Sequence, residues 1–187
     1  MTTNLLVTAV LIILAVFSSV SAQDKVTNFG GTWTLDVAKS KLDERARIES
    51  QTLTVTQTDK DIKVETATKR IPMPEGYQGG PAGGMARGGG MMGGGDMPTT
   101  YALDGKETKT EVQGPMGAMP VTLKAKFDGG KLHLSRSSTM SGPMGEMTMM
   151  TKEVWELSTD GKTLTVNTTR NTPRGTDTTT RVFAKKS

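Results

Sequence analysis

A chain of 187 residues has room for one domain with a real core and little more. With no cysteine and a single histidine, His133, it lacks the parts for a zinc cluster, a thiol nucleophile or a Ser-His triad. A formal charge of +4, spread with no basic block longer than Lys185-Lys186 and accompanied by only 4% aromatic residues, does not suit a nucleic-acid reader, while thirty threonines favour half-solvated strands over a helical bundle.

Residues 5–17 are apolar but for Thr8, and Val20-Ser21-Ala22 supplies the small residues after which a signal peptidase cuts. Residues 1–22 are therefore expected to be a signal peptide and residues 23–187 a single domain, exported to a periplasm or the medium. The apolar stretch is shorter than the ~20 residues that span a bilayer, so no stable membrane insertion of the mature chain is expected.

From residue 29 onward the pattern is period-two alternation broken by turn chemistry. It predicts ten strands, at 29–37, 52–58, 62–70, 99–103, 107–113, 121–128, 131–139, 146–157, 163–170 and 176–185. Along the sixth, Val121, Leu123, Ala125 and Phe127 alternate with Thr122, Lys124 and Lys126, and the other strands repeat the scheme. Each strand is apolar on one side only, which suits an antiparallel meander closed into a barrel, or alternatively a partly open barrel or two-sheet sandwich.

Tight turns are written as Thr58-Asp59-Lys60-Asp61, Asp104-Gly105-Lys106, Asp128-Gly129-Gly130-Lys131 and Asp160-Gly161-Lys162. In a meander these four share one end of the barrel. The longer connections, 38–51, 72–98, 114–120, 140–145 and 171–175, are expected at the other. The insertion 72–98 holds eleven of the chain's 22 glycines and is expected to be disordered.

The opening Phe29-Gly30-Gly31-Thr32-Trp33 resembles the F-x-G-x-W start of calycin-type barrels, the lipocalins and intracellular fatty-acid-binding proteins. More fully, FGGTWTLDVAKSKL, YALDGKE, FDGGKL, VWELSTDGKTLTV and RVFAKK resemble poorly characterised secreted bacterial lipocalin-like proteins. The resemblance implies an all-β, up-and-down calycin-like barrel of eight to ten strands, with Trp33 at the closed end covered by Arg181 of the last strand. There is no pattern for a helical lid; residues 37–48 could form at most a short helix.

The preferred function is non-catalytic: binding a small apolar ligand inside the barrel, lined by Leu53, Val55, Ile62, Val64, Leu103, Val121, Leu123, Leu134, Trp155 and Leu164. No cofactor is required by that reading. An alternative is a Cu(I) site, because thioethers are soft ligands and the methionine-rich connections would bring Met116, Met119, Met144 and Met147 to one mouth. A third reading is a structural envelope protein whose barrel is solid. His133 alternates with Leu132 and Leu134 and should face outward, whereas Glu153 is the one carboxylate expected to share the inner face with Trp155 and Leu157.

Overall fold

A computed structural model describes residues 27–43, 46–72, 96–114, 117–142, 145–173 and 175–186. Its strands are β1 (Gly31–Leu35), β2 (Ile48–Gln57), β3 (Asp61–Arg70), β4 (Thr99–Ala102), β5 (Glu107–Gly114), β6 (Gly117–Asp128), β7 (Lys131–Gly142), β8 (Gly145–Leu157), β9 (Thr163–Thr172) and β10 (Gly175–Lys185). All pair antiparallel in one sheet, in the order β4-β3-β2-β1-β10-β9-β8-β7-β6-β5. Because β1 pairs with β10, the meander curls until its edge strands β4 and β5 face each other across one gap, where β4 approaches β6. The fold is thus the expected all-β, calycin-like barrel, nearly closed. The signal-peptide region and nearly all of the glycine-rich insertion lie outside the described residues.

Turn chemistry fixes one end. Gly129 and Gly130 carry φ of 56° and 80° between β6 and β7, a conformation that a Cβ would strain. Asp104 Oδ1 accepts from the Lys106 amide at 2.9 Å, and Asp160 Oδ1 from the Lys162 amide at 3.0 Å, so each Asp closes its own turn. The Ser158 hydroxyl and that amide together hold the Asp160 carboxyl below the ordinary carboxylate range.

The opposite end differs from expectation. The ladders continue through Gly114↔Gly117, Gly142↔Gly145 and Thr172↔Gly175, so 114–120, 140–145 and 171–175 are mostly strand. Extended backbone needs no apolar side chain once a neighbour supplies the hydrogen bonds. Between β1 and β2 the chain makes a 3₁₀ turn (Val37–Lys39), capped by Asp36, and then runs beside β10, where the Lys41 amide donates to Thr180 O at 2.7 Å.

Inside the tight-turn end, Phe29, Trp33, Trp155, Phe183, Ile62, Leu132 and Leu164 are fully buried. Phe29 stacks on Phe127 at 6.3 Å and meets Trp155 edge-on at 6.0 Å. The Trp33 indole N–H donates to Phe29 O at 2.9 Å, which satisfies that ring's one polar atom. The cation over Trp33 is Lys185, its Nζ 5.1 Å from the ring centroid, and not Arg181. Register is the reason: Trp33 lies opposite Lys185, whereas Arg181 is two inward positions farther up β10, opposite Val166.

Candidate functional site

Above the aromatic plug the barrel opens into a cavity of about 380 Å³. Its wall follows from register. Across β7, β8, β9 and β10 the inner face is arranged in rows: Leu132, Trp155, Val166 and Arg181 nearest the plug; then Leu134, Glu153, Thr168 and Thr179; then Arg136, Thr151, Arg170 and Asp177 toward the mouth. On the facing wall, Leu53 lies opposite Thr66 and Gln51 opposite Thr68. A β-bulge between Ile48 and Ser50 resets the alternation there, so Ile48 is buried while Glu49 and Ser50 are exposed.

Of the ten residues expected to line a ligand cavity, Leu53, Val64, Leu134 and Trp155 do so. Val55, Ile62 and Leu164 are packed core at or near the tight-turn end, and Val121 and Leu123 are buried on β6, which packs against β4 where the sheet's ends meet. Leu103 is half-buried against that core. These positions are filled by their own neighbours, so the wall is much less apolar than expected. It includes Arg70, Arg136, Arg170, Arg181, Tyr101, Gln51, Glu153 and several threonines. The inner period continues unbroken past the last apolar residue of each strand, as in Leu132, Leu134, Arg136 and in Phe183, Arg181, Thr179; that continuation is the signal that locates them in the sequence.

Three buried polar atoms of this wall have no hydrogen-bond partner among the described residues: Gln51 Oε1, Thr168 Oγ1 and Arg181 Nε. Arg181 makes no ion pair among the described residues either. Burial holds its guanidinium below the ordinary arginine range; Glu153 opposes this, while Arg170 and Arg70 add repulsion. The Tyr101 phenol is pushed well up, first by burial and then by the Glu153 charge, with Arg136 opposing, so it is a neutral donor at physiological pH. Glu153 faces inward as expected, and accepts from the Trp155 indole N–H at 2.8 Å.

Gln51 is oriented by a short relay. The Thr68 hydroxyl donates its only proton to Asp96 Oδ1 at 2.7 Å, so it can only accept from Gln51 Nε2, at 2.9 Å. The amide oxygen of Gln51 is left for the cavity.

No protein-family model matches the sequence, and no curated protein matches it. One similar solved structure is the zebrafish ileal bile acid-binding protein complexed with cholic acid, with a TM-score of 0.48 and 16% identity, covering 84% of this chain and 98% of that one.

The remaining candidates fall elsewhere. His133 is on the outer face of β7, between Lys126 and Val154. Met116 and Met144 lie outside the described residues; Met119 is a strand residue of β6 opposite Val112, and Met147 one of β8 opposite Met140. Among the described residues no group of three or more His, Asp or Glu is placed to hold a metal, and no helix is long and apolar enough to cross a membrane.

Proposed function

We propose that this is an exported, non-catalytic binding protein whose barrel holds one small amphipathic acid, its apolar part against Leu53, Val64, Leu134 and Trp155 and its anionic group at Arg181. The observation that carries this reading is the half-buried Arg181 side chain facing the cavity, its Nε buried without a hydrogen-bond partner and its charge without an ion pair among the described residues. An unpaired buried charge costs several kcal/mol, and an anion in the cavity offsets that cost by a charge-assisted hydrogen bond. Tyr101 adds a neutral donor. The other carboxylates of the wall, Asp43, Asp96 and Asp177, are exposed at the mouth, and Glu153, whose charge favours the protonated guanidinium, makes no ion pair with Arg181 among the described residues, so an anionic ligand has a cation to meet.

Size narrows the class. At roughly 30 Å³ per water-sized group, the cavity accommodates on the order of a dozen heavy atoms, the size of a medium-chain acid. Titration calorimetry with decanoate at neutral pH tests the reading. The wild type is expected to bind, and Arg181→Met to bind at least about tenfold more weakly while remaining folded. No binding, or equal binding by the variant, refutes it. Export rests on residues 5–17 and Val20-Ser21-Ala22; N-terminal sequencing of protein recovered outside the cytosol should start at Gln23.

A further inference from the structure

We propose that the ligand of this cavity is a hydroxylated acid, its hydroxyl groups read by Gln51 and Glu153 from two separate walls. This rests on the reading above and adds what Arg181 alone cannot specify.

Both residues present acceptors. Gln51 Oε1 is buried and unpartnered, and the Asp96–Thr68–Gln51 relay prevents the amide from turning its NH₂ inward instead. Among the described residues Glu153 accepts a single hydrogen bond, from Trp155, which leaves most of its acceptor capacity open to the cavity. In the strand order, β2 and β8 are separated by β1, β10 and β9, so the two acceptors reach the cavity from well-separated parts of the wall. Directly beside Glu153 on β9, Thr168 Oγ1 is also buried without a partner.

An unsubstituted acyl chain would press methylenes on these acceptors and leave them desolvated without a proton donor. Sites of this kind reject the analogue that lacks the hydroxyl, because their own buried polar groups are then left unmatched. An ammonium group would also donate, but Arg181, Arg170 and Arg70 share this part of the barrel and repel it. A neutral hydroxyl donates without that repulsion. The cavity therefore combines a cation for an acid group with acceptors for hydroxyls.

The test compares decanoate, 3-hydroxydecanoate and 10-hydroxydecanoate by calorimetry against the full mature chain, in wild type, Gln51→Leu, Glu153→Met and Arg181→Met. At least one hydroxy acid is expected to bind about tenfold more tightly than decanoate, with that advantage lost in Gln51→Leu or Glu153→Met while decanoate affinity is kept or improved. Circular dichroism confirms that each variant is folded, and because Gln51 and Glu153 are on different strands, either variant alone suffices. If decanoate binds in an Arg181-dependent way and neither hydroxy acid gains, the hydroxyl proposal is overturned while the acid-binding reading stands. The proposal is equally overturned if the advantage survives both substitutions. If none of the three acids binds, both fall together.

Discussion

The two halves of the barrel are built from the same strands, yet each strand changes character midway along its inner face. Toward the tight turns, β9 presents Leu164 and Val166 and β10 presents Phe183; toward the mouth, the same strands present Thr168 and Arg170, and Arg181, Thr179 and Asp177. The first half is filled by Trp33, Trp155, Phe29 and Phe183, with Phe29 stacked on Phe127 and edge-on to Trp155, whereas the second encloses a cavity with unmatched polar atoms. Packed core and open cavity are therefore divided along the barrel axis, with Trp155 and Phe183 shared by plug and cavity wall.

Substitutions at the two ends should accordingly have opposite effects. Trp33→Ala removes the largest side chain of the plug, and urea unfolding should record a loss of about 3–5 kcal/mol. A loss below about 1 kcal/mol would mean that the plug is not the seat of stability. At the other end, Arg181→Met replaces a half-buried charge that has no ion pair among the described residues by an apolar side chain, so stability should be unchanged or rise even as acid binding falls. Destabilisation by Arg181→Met would place this residue among the structural supports and erase the division.

A pH series sharpens the contrast at the boundary. Folding favours the protonated phenol of Tyr101, whose ordinary value is 10.0. Its contribution is intact below that value and is lost as pH rises through the higher folded value. Wild-type stability should decline above about pH 10 more steeply than that of Tyr101→Phe, by at most about 1.4 kcal/mol per pH unit. Parallel curves would show that Tyr101 is not desolvated. The smallest effect belongs to the exposed Lys185: Lys185→Met should cost about 0.5–1 kcal/mol through lost cation–π contact with Trp33 and leave acid binding untouched.

Most of the architecture is legible in the residue pattern. The four Asp- and Gly-based turns and the one-sided alternation suffice for ten antiparallel strands and for gathering the tight turns at one end, because both are local properties of sequence; that this end is closed is implied only by the resemblance carried by Phe29 to Trp33. The mouth-end strand extensions are not, since Gly114, Gly117, Gly142 and Gly145 become strand only when a partner supplies the ladder. Nor is the exchange of Arg181 for Lys185 over Trp33, which depends on the β1–β10 register and so on residues far apart in the chain. The cavity is the least legible part of the sequence. Apolar inward positions such as Ile62 and Leu164 look like ligand contacts in sequence but close on each other in space, and the open volume falls where inward residues are Thr, Gln and Arg.

The division between a solid half and a binding half is tested most directly by backbone and side-chain NMR during a titration with decanoate. Signals of Gln51, Tyr101, Thr168 and Arg181 should shift in a saturable way while those of Ile62, Leu132 and Leu164 stay in place. Shifts centred on Ile62, Leu132 and Leu164, or confined to outward-facing residues such as His133, would contradict it.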